Sequence, residues 1–332
     1  MKRVHMRASA SVLLPLVILG WAIGADAAAP ETGDRPVIHI EDVARFYKVY
    51  DAAGGHPTAQ MLQQYIDQGS EGLRYFARSH NTTGARIADE ISKHPELYVN
   101  ARRCMHILPR VRARVAIVLR KLKELYPEAN LQPVTVVVGR GRPVAIADEE
   151  HGVQLALEGM CDVAPSIEVA PSIVPSLEDR FVHIIAHEYG HVQQFIAFDN
   201  DPHPTVLGGA LMEGAAEFNA EMTSGGVSNY EQAAFAKGHE QEIERAFVKD
   251  EDSQDLSRWL YNRTDRKPGV SAESSGRHPW PPDMGYWVGY RICKAYYQHA
   301  KDKRQAFRDI LEISDPKLFL AQSGWYPGIV LQ

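Results

Sequence analysis

The sequence HIIAHEYGHVQQF, residues 183–195, contains the pattern His-Glu-x-x-His, with His187, Glu188 and His191 at its fixed positions. Residues four apart share one face of an α-helix, so both imidazoles can bind one ion. Glu188 follows about 100° further around the helix, where it can reach a water on that ion without filling a ligand position. Apolar residues on both sides of the pattern indicate a buried helix. The stretch therefore predicts a zinc-binding helix with Glu188 as the general base, and the alternative is an amphipathic helix with ordinary hydrogen-bonded histidines.

Two histidines do not complete a catalytic zinc site, which takes three protein ligands and an open position. A third histidine in the extended pattern H-E-x-x-H-x-x-G-x-x-H is excluded, because Gln194 and Ala197 occupy the positions of its Gly and His. The polar loop FDNDPHPT that follows offers other candidate ligands, namely Asp199, Asp201 and His203.

A glutamate on a second helix is the remaining candidate. The segment GGALMEGAAEFNAEM is helix-forming, and its Glu213 and Glu217 are four residues apart on one face. Glu213 could be the third zinc ligand, while Glu217 holds the far nitrogen of a ligand histidine, as supporting carboxylates commonly do.

The order of predicted elements indicates an α+β fold. After a polar leader at residues 28–36, helical periodicity continues to about residue 130, short β-branched runs indicate strands near 133–138, 143–148 and 152–158, and helices return from about residue 176. These later helices are predicted at about 176–198, 207–224, 229–247, 253–262, 285–300 and 302–313. We expect an N-terminal helical region, residues 28–130, joined to a catalytic core, residues 131–332, in one compact unit.

Composition and charge argue against a nucleic-acid-binding protein. The chain has 332 residues, 45% hydrophobic and 23% charged, and a net charge of −6, so it lacks the basic character of a nucleic-acid-binding protein. Residues 1–27 resemble a secretory signal peptide, with basic residues, a short apolar stretch and small residues at Ala25–Ala27; an uncleaved anchor is the alternative. We expect an exported protein, periplasmic or extracellular, with no membrane span after cleavage. Its three cysteines predict either one disulfide, Cys104–Cys161, with Cys293 left over, or buried free thiols.

The residues HEYGH followed by EGAAEF resemble the gluzincin metallopeptidases, the clan of thermolysin and aminopeptidase N. In that clan the third zinc ligand is a glutamate on the next helix, which corresponds to Glu213 here, and Glu217 matches the acidic residue that supports a histidine. The chain is most similar to a bacterial group of predicted zinc-dependent proteases, with an RFYKVYD start and a later G-Y-x-x-G-Y helix, over residues 38–325. The G-x-M-E-N motif of the aminopeptidases is missing.

This resemblance implies two further features of the site. A zincin-like fold places the edge strand of a small mixed sheet above the zinc helix to bind extended substrate, and Glu150–Glu158 is the candidate strand. A side chain that stabilises the oxyanion is also expected, and the resemblance favours Tyr286, then Tyr290, with His278 and Arg277 as weaker candidates.

The sequence thus predicts a metallohydrolase with one zinc ion per chain that hydrolyses peptide bonds in a peptide or protein substrate. A non-catalytic zinc-binding or peptide-binding module on the same scaffold is one alternative, although such a module needs no general base at Glu188. A zinc hydrolase of non-peptide amides or esters is the other alternative. Oligomeric state and cleavage preference do not follow from the sequence.

Overall fold

In the computed structural model, which describes residues 38–141, 144–161, 169–194, 204–262 and 280–332, helices surround one small sheet. The described residues belong to a unit that extends from Asp34 to Gln332. The regular elements in chain order are β1 (Ile38–His39), α1 (Glu41–Ala52), α2 (Ala59–Asp67), α3 (Glu71–Ser79), α4 (Gly84–Lys93), α5 (Pro95–Cys104), α6 (Leu108–Leu125), β2 (Val134–Val137), β3 (Ala145–Asp148), β4 (Gly152–Ala156), α7 (Leu157–Cys161), α8 (Leu177–Gln193), α9 (Val206–Ser224), α10 (Tyr230–Ala236), α11 (Glu240–Asp250), α12 (Met284–His299), α13 (Lys303–Leu311) and α14 (Pro316–Gln322). The predicted α+β class, mostly helical with a small mixed sheet, is confirmed.

The four strands form a sheet in the order β1-β2-β4-β3. Strand β2 pairs in parallel with β1 and with β4, and β3 pairs antiparallel with β4, with Ala145 opposite Leu155. Every residue of β2 and β4 is buried, while β3 is half-buried and packs against α8. Strand β3 is therefore the edge of the sheet that lies along the histidine-bearing helix.

The prediction that Glu150–Glu158 forms this edge strand is wrong. Its residues 152–156 form β4, which is paired on both sides, and Leu157 already begins α7. The reason is visible in the residues: the run Val153–Leu157 is almost continuously apolar, and such a run is typical of an interior strand with both faces covered. Strand β3, with the sequence AIAD, takes the edge position instead.

Helix α8 begins at a capped and charge-paired end. The hydroxyl of Ser176 accepts a hydrogen bond from the backbone N–H of Asp179, at 3.1 Å, which satisfies one free donor of the first turn. Glu178 and Asp179 pair with Arg110 and Arg114 of α6. Part of the basic face of α6 therefore binds the acidic first turn of the histidine-bearing helix.

Helix α9 lies between α8 and α12 and is buried along most of its length. Glycines allow the close approach on each side. A Cβ atom at Gly190 of α8 would lie 2.7 Å from Cα of Ala216, and one at Gly289 of α12 would overlap the carbonyl oxygen of Ala210. The glycine of HEYGH and that of the later G-Y-x-x-G-Y pattern thus set the spacing of three successive layers of helix.

Several predicted bounds change. The predicted helix 229–247 is two helices, because Gly238 adopts a left-handed backbone with φ of +87° between them. The predicted helix 253–262 contains only a 3₁₀ turn at Leu256–Arg258.

Cys104 and Cys161 form a disulfide between α5 and α7, and Cys293 is a buried free thiol. No helix in the described ranges has both the length and the apolar character needed to cross a membrane. The predicted signal peptide lies outside the described residues.

Candidate metal centre

Helix α8 presents both histidines of the motif to the same point. The Nε2 atoms of His187 and His191 lie 3.1 Å apart, and their rings stand nearly perpendicular, at 84°. His187 is buried and His191 is partly buried. This convergence is what the four-residue spacing on a helix predicts.

Helix α9 brings Glu213 to these two nitrogens. One carboxylate oxygen, Oε2, lies 3.3 Å from Nε2 of His187 and 3.2 Å from Nε2 of His191. Within the part of the chain that the structure describes, these three side chains are the only group of His, Cys, Asp or Glu placed to hold a metal ion. Asp199, Asp201 and His203, the alternative ligands in the loop, lie outside the described residues.

The three donor atoms fit a tetrahedral zinc ion. With metal–ligand bonds of about 2.0–2.2 Å, such a site separates its ligand atoms by roughly 3.3–3.6 Å. The observed separations of 3.1, 3.2 and 3.3 Å are close to this range. Two imidazole nitrogens and one carboxylate oxygen are also the donor set of a catalytic zinc site with a position left open for water.

Glu217, one turn after Glu213, lies behind His187. Its Oε1 is 3.2 Å from Nδ1 of His187, although the ring N–H does not point directly along this line. The same carboxylate accepts hydrogen bonds from the backbone N–H of Ser228, at 2.8 Å, and from the Ser228 hydroxyl. Glu217 is therefore held on one side by hydrogen bonds from Ser228, after α9, and faces His187 on the other.

His191 is supported by a different group. Its Nδ1 lies 2.7 Å from Oε1 of Gln194, and Nε2 of Gln194 donates a 2.7 Å hydrogen bond to the carbonyl oxygen of Met212. The sequence had singled out Gln194 only as a position where the extended histidine motif fails. The sequence does contain a signal for the contact between Gln194 and His191, because residues three apart on a helix lie next to each other.

The charges of the centre are strongly coupled. Burial opposes the charged form of His187, but the carboxylates of Glu217 and Glu213 outweigh it and raise the pKa of this histidine well above its usual value. Burial opposes ionisation of Glu213, but His191 and His187 lower its pKa far below the usual range. Among the described residues, only the imidazoles of His187 and His191 offset the negative charge of the buried carboxylates Glu213 and Glu217.

Glu188 has a different environment from the other two glutamates. It is only partly exposed, and burial raises its pKa, opposed by the neighbouring His191 and His187. Among the described residues it forms no hydrogen bond or ion pair. Its carboxylate interacts by charge with both histidines and has no hydrogen-bond or ion-pair partner in the described part of the chain.

Tyr286 and Tyr261 line another side of the centre. The ring of Tyr286 stacks over that of His187, with centroids 6.0 Å apart and planes at 11°, and it meets the ring of Tyr261 edge-on at 6.3 Å. Burial raises the pKa of both phenols, and the carboxylate of Glu213 raises them further by charge and hydrogen bonding. Both hydroxyls therefore remain protonated donors at neutral pH.

Tyr261 did not emerge from the sequence. Its backbone is left-handed, with φ of +57°, which is a strained conformation for an aromatic residue. The next residue, Asn262, exchanges hydrogen bonds with Asp283 at the start of α12: its N–H donates to Oδ1 of Asp283 at 3.1 Å, and its Oδ1 accepts the Asp283 N–H at 2.8 Å. This pair holds Tyr261 and Tyr286 on the same side of the centre.

Tyr290, the second oxyanion candidate, lies in a different group of side chains. The hydroxyl of Tyr290 is 3.1 Å from Nζ of Lys294, which pairs with Glu221 at 3.0 Å. The structure therefore places Tyr290 in a separate polar group and not beside His187 and Glu213. His278 and Arg277 lie outside the described residues.

The sequence model of one protein family, described as Predicted Zn-dependent protease (DUF2268), matches residues 123–312, more than half of the chain. The match includes both helices of the centre and the tyrosines of α12. Neither a curated protein nor a solved structure matches the chain.

Proposed function

The chain belongs to the family of predicted Zn-dependent proteases, and from this premise we propose that it is a zinc metallopeptidase of the gluzincin type. One observation carries the proposal: the ligand atoms of His187, His191 and Glu213 converge within 4.8 Å, and Glu188, which interacts with both histidines by charge, has a carboxylate with no partner among the described residues. A structural zinc site has no use for such a carboxylate, whereas a hydrolase needs one.

The residues divide into holding and reacting groups. His187, His191 and Glu213 would hold one zinc ion, and this ion, when bound, would supply Lewis acidity for a water and a scissile carbonyl. Glu188 takes a proton from the attacking water and returns it to the leaving amine. The partial burial that raises the pKa of Glu188 suits a group that accepts and then releases a proton.

Tyr286 and Tyr261 are the proposed donors to the oxyanion. Their phenols are protonated, lie at the centre beside Glu213, and are held by the Asn262–Asp283 pair. Donors fixed in advance stabilise developing negative charge without having to reorganise during the reaction. Tyr261 adds to the candidates that the sequence offers, which are Tyr286, Tyr290, His278 and Arg277.

The edge strand β3 supports peptide as the substrate class. Strand β3 is paired on one side with β4 and packs along α8, which bears the histidines. An extended peptide could add by backbone hydrogen bonds to its other edge, which pairs with no strand among the described residues, and pass over the metal centre. This arrangement favours a peptide bond over a small amide or ester.

The zinc part of the proposal is tested by metal content. We expect purified protein to hold about one zinc per chain, and Glu213→Ala to lose most of it, because two histidines alone leave the site incomplete. Glu178→Ala is the control, since Glu178 lies on α8, the histidine-bearing helix, but pairs with Arg110 away from the centre. Full zinc occupancy in Glu213→Ala would show that another residue is the third ligand.

Hydrolysis is tested by digestion of a peptide library. The wild-type protein should cleave peptides and lose this activity with a zinc chelator. Glu188→Gln should keep zinc but cleave at least about 100-fold more slowly, the contribution of a general base. If the zinc-loaded wild-type protein cleaves no peptide, the peptidase assignment is wrong. A binding module or a hydrolase of other substrates then remains. Equal cleavage by Glu188→Gln would exclude the assigned base.

We also propose that the protein is exported, with residues 1–27 removed as a signal peptide. The support is the sequence pattern alone, together with the Cys104–Cys161 disulfide, which suits an oxidising compartment. N-terminal sequencing of protein recovered from the periplasm or the medium tests this. A mature chain that begins at Met1 and stays with the membrane would favour the anchor instead.

A further inference from the structure

We propose that Gln194 is a positioning residue that fixes the tautomer and the orientation of His191 as a metal ligand. The inference rests on the proposed zinc site and adds a residue to it that belongs neither to the motif nor to the ligands. Gln194 directly follows α8, is buried with 8% of its surface exposed, and contacts both helices of the centre.

The orientation of the Gln194 carboxamide follows from chemistry. The carbonyl oxygen of Met212 can only accept a hydrogen bond, so the group 2.7 Å away from it must be the NH₂ of Gln194. The opposite end of the same amide is therefore its oxygen, which also can only accept. That oxygen lies 2.7 Å from Nδ1 of His191, so Nδ1 must carry a proton.

This proton decides which nitrogen binds metal. With the proton on Nδ1, the lone pair of a neutral His191 is on Nε2. Nε2 is the atom that faces Nε2 of His187 at 3.1 Å and Oε2 of Glu213 at 3.2 Å. Without an acceptor at Nδ1, the ring could take the other tautomer or rotate, and either change would turn the lone pair away from the centre.

Gln194 also connects the histidine to the glutamate-bearing helix. Its backbone N–H bonds to the carbonyl of His191 at 3.1 Å, while its side chain ends on Met212, the residue before Glu213. One side chain therefore ties the His191 ring to the backbone of the residue that precedes the third ligand. His187 has a carboxylate, Glu217, in the corresponding place, so the two histidines have unlike supports.

The experiment compares neighbouring glutamines. Gln194→Met removes the amide while keeping the length of the side chain, and Gln194→Glu keeps an acceptor for Nδ1 but loses the donor to Met212. Gln193→Met is the matched control, because Gln193 is also 8% exposed and also uses both ends of its amide, on Asn130 and Tyr189. The zinc dissociation constant of each folded variant is measured by competition with a chromophoric chelator.

We expect Gln194→Met to bind zinc about 10–100-fold more weakly than wild type, the usual effect of removing a group that supports a ligand histidine. Gln194→Glu should recover part of this loss, and Gln193→Met should bind as wild type does. In ¹⁵N-histidine spectra of the zinc-loaded proteins, the Nδ1 proton of His191 should be protected from exchange in wild type and lose that protection in Gln194→Met.

The outcomes separate this inference from the proposed function. A wild-type protein that binds no zinc would refute the zinc site itself. If wild type binds zinc and Gln194→Met binds it within threefold of wild type, the positioning role is wrong. An equal loss in Gln193→Met, or no gain of Gln194→Glu over Gln194→Met, would show a general packing effect and would also overturn it.

Discussion

Replacing Gly190 with alanine should weaken zinc binding more than it weakens the fold. Gly190 lies in the middle of HEYGH, and an added Cβ would stand 2.7 Å from Cα and 3.0 Å from Cβ of Ala216 on α9. Non-bonded carbon atoms prefer separations of about 3.5–4.0 Å, so relief of the overlap requires α8 and α9 to separate by about 1 Å.

The metal centre bridges these two helices, so the separation acts on it directly. The distances from Oε2 of Glu213 to the two histidine nitrogens are now 3.2 and 3.3 Å. After the shift they would be about 4.2 Å, roughly 0.6 Å beyond the span of a tetrahedral zinc site, and working sites tolerate displacements of about 0.5 Å. Glu213 should therefore cease to be an effective ligand, and zinc affinity should fall by more than about 100-fold.

The cost to the fold is smaller. Overpacking costs about 1–3 kcal/mol, while alanine favours the helix over glycine by about 1 kcal/mol, which leaves a net loss of up to about 2 kcal/mol. Zinc affinity is measured by chelator competition, and stability by urea unfolding in excess chelator. Gly72→Ala is the control, because its Cβ would overlap the side chain of Thr135 at a helix–sheet contact outside the centre. A folded Gly190→Ala protein with wild-type zinc affinity would refute the argument that helix spacing sets the site.

Three other predictions concern catalysis, the disulfide and pH. Tyr286→Phe and Tyr261→Phe should each lower turnover by about 100-fold with zinc content unchanged, while Tyr290→Phe should not; equal effects of all three in a peptide-cleavage assay would remove the assignment. Cys104→Ser should lower the free energy of unfolding by up to about 4 kcal/mol, because the disulfide closes a loop with a sequence separation of 57 residues, and urea titration with and without reductant measures this. Burial, opposed by backbone N–H groups, raises the pKa of Glu158 above its usual 4.5, so the folded state holds the proton more tightly and loses stability as pH rises above that value. Glu158→Gln should flatten this decline above pH 4.5 in urea titrations repeated across pH; an unchanged slope would contradict it.

Helical spacing made the centre predictable from the sequence. His187 and His191 are four residues apart, as are Glu213 and Glu217, and the structure brings the first three together with Glu217 behind His187. Such spacing determines which side chains share a face before any tertiary contact is known. It does not show which helices meet, and here the resemblance to a known clan supplied that step.

Other features depend on information that spacing does not carry. The position of Tyr261 follows from a left-handed backbone and from the Asn262–Asp283 pair, which join residues 21 apart in sequence. The edge strand was misassigned although a signal existed, since the apolar run Val153–Leu157 is typical of an interior strand. The glycines at the helix crossings were also visible, but their meaning depends on the partner helix.

The buried carboxylates of α9, Glu213 and Glu217, explain why the centre favours a bound cation. Glu213 and Glu217 are 4% and 0% exposed, and within the described ranges neither forms an ion pair with a lysine or arginine. Ionised carboxylates in such a position cost several kcal/mol each unless opposite charge compensates them. Without an ion, the histidines offset this charge only by taking up protons, since the carboxylates raise the pKa of His187 and of His191, whereas one divalent ion between neutral imidazoles cancels both charges. The charge of Glu188 then remains in excess, and unlike Glu213 and Glu217 this carboxylate makes no ion pair among the described residues, which favours a reactive centre over a merely structural histidine pair.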